Sequence, residues 1–169
     1  MGVLYNNRIM TLNASVHRTC VWGAVLCGSI LLAGAAAAQT VPAGWKVIND
    51  SKKLCQVAVP ADWTPDAIFK SMAISPDQKS NVVVHGLPAG TDYKTVVENA
   101  KKLFPPVKIF EESATRIWFQ KAPPSGKTVT DWYFAIRGAQ ACNAEIVFGG
   151  AVTEDTAKKI VGTLAPAAK

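Results

Sequence analysis

The chain has 169 residues, 49% of them hydrophobic and 8% aromatic, enough for one domain with a sizeable core. Its formal net charge of +6 is spread among interspersed carboxylates. No Arg/Lys stripe with interleaved aromatics appears, which argues against a nucleic-acid partner.

From Thr19 to Ala38 an uncharged, Ala-rich run follows Arg18 and ends Ala36-Ala37-Ala38-Gln39. A basic start, a short apolar segment and small residues ahead of a cleavage point predict a secretory signal peptide over residues 1–38. Within it, the stretch from Val21 to Ala36 falls short of the roughly 20 apolar residues of a spanning helix. Gly23, Gly28 and Gly34 weaken it further, so no stable membrane anchor is expected after cleavage. Cys27 follows Val25-Leu26 and Cys20 follows Thr19, neither of which suits lipid attachment. Arg18 lacks the second arginine of a twin-arginine signal. Met10 offers an alternative start. The expectation is export by the general secretory route to the periplasm or the medium, with residues 39–169 as one domain.

Two cysteines remain beyond the leader, Cys55 and Cys142. In an oxidising compartment an even pair predicts a disulfide, with two separate buried thiols as the alternative. A bridge closing so long a loop adds up to about 4–5 kcal/mol in the chain-entropy view.

Along the domain, Trp45-Lys46-Val47-Ile48 forms a short strand and Asn49-Asp50-Ser51 a turn. Leu54 to Val59 alternates apolar and polar residues until Pro60. Ala61 to Asp66 is a loop, within which Trp63 is expected to be partly exposed. Ile68 to Ile74 is ambiguous, with strand character in its second half. Turn chemistry from Ser75 to Asn81 leads into a strand over Val82–His85. Asp92 or Thr91 caps a helix whose stripe is Val96, Val97, Ala100, Leu103 and Phe104. Lys94, Glu98 and Lys102 are spaced four apart on its outer face as ion-pair candidates. Pro105-Pro106 stops it.

The period then changes to two. Strands are predicted over Val107–Glu111, Thr115–Gln120, Thr128–Ile136 and Asn143–Phe148, with links short enough to demand antiparallel pairing. Within them Ile117 and Phe119 lie opposite Trp118, and Trp132 and Phe134 opposite Tyr133. After Gly149-Gly150, Thr153 caps a last helix with Ala157, Ile160, Val161 and Leu164 buried, and the tail beyond is expected to fray. The fold class is α+β: one twisted antiparallel sheet flanked by two amphipathic helices.

Chemistry-bearing patterns are sparse. His85 is the single histidine of the domain and has no neighbouring Cys or His with which to build a zinc site. The two cysteines form no Cys-x-x-Cys motif, and no Gly-x-Ser-x-Gly elbow or phosphate-cradling loop is present. Glu111 and Glu112 point to opposite faces of a strand. Asp62, Asp66 and Asp77 fit no calcium-loop spacing. No catalytic, cofactor-binding or metal-ligating set is assigned. Trp63, His85, Trp118 and Trp132 remain as a possible binding surface, against the plainer reading of the tryptophans as core.

Three stretches carry a family resemblance: Val57-Ala58-Val59-Pro60-Ala61-Asp62-Trp63, then Ile74-Ser75-Pro76-Asp77 ahead of Val82-Val83-Val84, then Arg116-Ile117-Trp118-Phe119 ahead of Asp131-Trp132-Tyr133. With the element order, the chain resembles the PsbP/Mog1-like α-β-α sandwich family, as an exported bacterial member, over roughly Gly44 to Leu164. The resemblance implies a mostly non-catalytic role. Known members include extrinsic subunits of photosynthetic oxygen evolution and binders of a small GTPase, and neither activity transfers by fold alone. The leading expectation is an exported, non-enzymatic accessory protein that binds an envelope partner. The rivals are a small-ligand carrier with a pocket lined by Trp118 or Trp132, and a small hydrolase built on Asp62 and Asp77 near His85.

Overall fold

The computed structural model describes residues 40–123 and 125–168. The predicted leader lies outside them. Strands β1 (Trp45–Asn49) and β2 (Cys55–Pro60) form a hairpin around Asp50. Its carboxylate closes the turn, one oxygen accepting the Leu54 and Cys55 amides at 2.6 Å each and the other the Lys52 amide at 3.0 Å. Strands β3 (Thr64–Pro65), β4 (Met72–Ile74) and β5 (Asn81–Gly86) form a meander. Helix α1 (Tyr93–Leu103) follows, then β6 (Pro106–Glu112), β7 (Arg116–Lys121), β8 (Thr130–Ile136) and β9 (Cys142–Phe148). Helix α2 (Glu154–Gly162) and β10 (Ala165–Pro166) complete the order.

The structure is α+β with antiparallel pairing throughout, but it has two sheets where one was expected. The larger runs β3-β4-β5-β9-β8-β7-β6 and the smaller β1-β2-β10. Alternation along a strand marks which side chains share a face, not which strand sits at its edge. The small sheet therefore had no separate signature. The tail also departs from expectation: instead of fraying, Ala165 and Pro166 pair with Gln56 and Cys55, and the Ala167 amide donates to the Leu54 carbonyl at 2.9 Å.

Strand alternation divides the buried residues between the two faces of the large sheet. On one, Val82, Val84, Trp132, Phe134, Ala144 and Ile146 pack with Val57 and Val59 of β2 and with Ala157, Ile160 and Val161 of α2. On the other, Ile117, Phe119, Tyr133 and Ala135 meet Tyr93, Val97 and Ala100 of α1. A fully buried Ile or Val side chain adds roughly 1.5–3 kcal/mol.

Asp92 caps α1, its carboxylate accepting the Lys94 and Thr95 amides at 3.2 Å. The helix's buried stripe is Tyr93, Val97 and Ala100, and it corrects the sequence reading at its C-terminal end. Leu103 and Phe104 are 74% and 38% exposed. They stand at the end of α1 leading into β6, an edge strand of the large sheet among the described residues. The expected ladder of Lys94, Glu98 and Lys102 is replaced by Lys101, which bridges Glu98 at 3.6 Å and Glu112 of β6.

Candidate functional site

Cys55 and Cys142 form a disulfide with Cα atoms 5.8 Å apart, joining β2 to β9. Both are fully buried.

The four residues taken as a binding surface do not form one. Trp63 was expected to be partly exposed, but it is 2% exposed: its ring enters the main core while Ala61, Asp62, Thr64 and Pro65 around it stay exposed. Trp132 is also buried. Its ring meets Trp118 edge-on at 5.0 Å and Phe148 at 4.5 Å, and Phe110 of β6 stacks on Trp118 at 4.5 Å. Trp118 is half-buried at the edge of that stack. These contacts leave the tryptophans as packing, so the carrier reading loses its expected pocket wall. His85 alone is exposed, opposite Asn143 across the β5–β9 ladder.

Two of the loop carboxylates are committed to holding turns, Asp66 accepting the Ile68 and Phe69 amides at 2.8 and 2.7 Å. Asp77 accepts the Ser75 hydroxyl at 2.6 Å, the Lys79 amide at 3.1 Å and the Ala151 amide at 3.0 Å. These donors, the Ala151 amide foremost, hold its carboxyl down at about 2. Gly150 beside it has φ +61°, and any Cβ there would collide with the Asp77 carboxylate. Asp62, Asp77 and Trp63 do line one cleft of about 320 Å³ near the start of α2. His85 is not in it: it lies four residue steps along β5 from Asn81 beside that turn, or about 13 Å of strand. The hydrolase reading lacks its convergence.

Three features were missed in the sequence. The first is an ion cluster on the α1 side of the sheet. Lys121 contacts Asp131 at 3.1 Å and Glu145 at 2.6 Å, and its side chain is only 7% exposed. Burial raises the Asp131 carboxyl, against the pull of Lys121. Burial opposes the Lys121 charge too, but its two carboxylate partners outweigh it and raise its pKa. Alternating strands put these residues on one face, yet only the strand order makes them neighbours.

The second feature is a corner. Leu103, Phe104, Val107 and Ile109 are four of the seven exposed large apolar side chains among the described residues. Val107 sits in a register shift of β6 and Ile109 pairs with Phe119, while the Lys121 ammonium lies over the Phe104 ring at 4.0 Å. Beside them runs the outer edge of β6, seven residues with no neighbouring strand on that side among the described residues. Register shifts interrupt its pairing with β7 on either side of Lys108 and Ile109.

The third is a cleft of about 420 Å³ between α1 and the β6–β7 turn, with Tyr93, Val97 and Ile117 among its lining and Arg137 at its border. Among the described residues no helix is long and apolar enough to cross a membrane.

No family model matches the chain, and no curated protein matches it. Among solved structures it is similar to the solution structure of cyanobacterial PsbP from Synechocystis, at 10% identity and a TM-score of 0.41, covering 78% of this chain and 97% of that one. This is the family the sequence resembles. At that TM-score the likeness carries no argument about function or about site residues.

Proposed function

We propose that the protein is an exported, non-catalytic accessory protein that binds a partner protein through the corner formed by the end of α1 and the free edge of β6. The packing of α1 and of α2 with β2 against opposite faces of the large sheet supports an α-β-α sandwich reading. The observation that carries the reading is the clustering of Leu103, Phe104, Val107 and Ile109 beside an unpaired seven-residue strand edge. Scattered apolar side chains need no explanation, but a contiguous patch at a sheet edge does. An edge strand offers main-chain donors and acceptors to an incoming extended segment.

Charge selects the occupant. Glu111 and Glu112 are engaged by Arg116 and Lys101, whereas Lys102 beside the patch forms no ion pair among the described residues and the Lys108 ammonium lies over the Phe110 ring at 4.8 Å. The fitting partner is an extended protein segment with alternating apolar residues and flanking Asp or Glu. The register shifts in β6 disfavour flat pairing between copies of this chain.

The buried disulfide supports an oxidising compartment, and the bonding of Asp77 and Lys121 into turns and ion pairs supports a role without catalysis. The intact mass of the protein isolated from its native envelope tests export: a chain beginning at Gln39 is expected, and one retaining residues 10–38 contradicts it. For docking, a photo-crosslinker at Ile109 should capture a partner segment of the stated composition, and the Val107→Asp variant should abolish capture.

A further inference from the structure

The structure assigns a second binding site, independent of that corner, in the cleft under the first half of α1: we propose that it takes a small amphipathic organic anion, with its apolar body on Tyr93, Val97 and Ile117 and its carboxylate or sulfonate on Arg137. At about 420 Å³ the cleft is in the size range of small-molecule sites. Tyr93 and Val97 contribute from the helix and Ile117 from β7, all three anchored in the α1-side core. The Tyr93 hydroxyl donates to the Ala135 carbonyl at 3.0 Å, which fixes the ring.

The charges at the border sort into used and unused. Glu98 and Glu112 both line the cleft, and both are engaged by Lys101. Lys94 and Arg137, the two cations of the lining, form no ion pair among the described residues. Asp92, whose carboxyl Arg137 helps to hold down, already accepts from Lys94 and Thr95 with its oxygens as the helix cap. Arg137 also borders two further clefts, one beyond the start of α1 and one beside Phe134 and Leu164. A planar guanidinium with an uncommitted fork is suited to gripping a carboxylate or sulfonate through two parallel hydrogen bonds. The Lys94 ammonium adds long-range attraction. A cation at the border of a largely apolar floor selects against neutral and against positively charged ligands.

The test titrates 1-naphthaleneacetate, and separately the neutral 1-naphthalenemethanol, into the isotope-labelled protein and follows amide shifts. The acetate should move the amides of Val97, Ser113, Ile117 and Arg137 saturably with Kd near or below about 1 mM, ordinary for a fragment of this size. The alcohol should bind at least about tenfold more weakly. The exposed Arg137→Gln variant, checked for an unchanged melting temperature, should bind both probes alike. Equal affinity of the two probes for the native protein, an acetate affinity unchanged in Arg137→Gln, or shifts centred on Val107 and Ile109 would overturn the proposal. So would the absence of shifts at millimolar probe.

Discussion

The Ala151 amide donates to the Asp77 carboxylate at 3.0 Å, across 74 residues of sequence. This bond, with the Ser80 hydroxyl donating to the Gly149 carbonyl at 3.0 Å, ties the β4–β5 turn to the segment that launches α2. The Asp77 carboxyl is held at about 2, below the ordinary 3.8 of the unfolded chain. A depressed carboxyl adds stability at pH values above the unfolded value and loses it as pH falls through the folded one. Acid titration of the melting temperature should therefore show a loss between about pH 4 and pH 2 that is smaller in Asp77→Asn. Identical acid profiles for the two proteins would remove Asp77 from this role.

Reduction should weaken the domain strongly. The Cys55–Cys142 bridge spans 87 residues, and closing a loop of that size in the unfolded chain is worth about 4–5 kcal/mol. The melting temperature with and without a thiol reductant measures it. Equal melting, with the bridge shown by mass to be broken, contradicts the estimate.

How far these features could be read in advance depends on the range of the interaction that makes them. The Asp92 cap, the Thr153 cap and the alternation through Ile117, Phe119, Trp132 and Phe134 are local, and the sequence displays each of them. The departure of β1, β2 and β10 into a second sheet is not local, because it depends on which edges meet. Trp63 was misjudged for the same reason: a Pro/Asp-flanked segment looks solvated until the core beneath it is placed. Leu103 and Phe104 continue the helical period of Val97 and Ala100, yet the sheet ends beneath them. Their exposure is set by strand order.

The ion cluster should respond asymmetrically to substitution. Lys121→Met leaves Asp131 and Glu145 without their shared cation and should cost about 3 kcal/mol or more. Asp131→Asn removes a carboxylate whose pKa burial has raised, while Lys121 keeps Glu145, so its cost should be far smaller. Denaturant unfolding of the two variants decides it. Equal losses would mean that Asp131 is the main partner of the lysine.

The corner should be dispensable for folding. Val107→Asp and Ile109→Asp replace exposed side chains, 61% and 47% accessible, so stability should change by no more than about 0.5 kcal/mol. Thermal melting provides the check. A large loss in either variant would make the patch part of the domain's own packing.

Photo-crosslinking in the native envelope tests the account most directly, with the probe placed at Ile109 and, as a control, at Ile68, which is exposed near the opposite edge of the sheet. The account predicts one discrete adduct at Ile109, lost in Val107→Asp, whose captured peptide alternates apolar residues and carries flanking carboxylates. Equal capture at Ile68, or an adduct at Ile109 that persists in Val107→Asp, would contradict it.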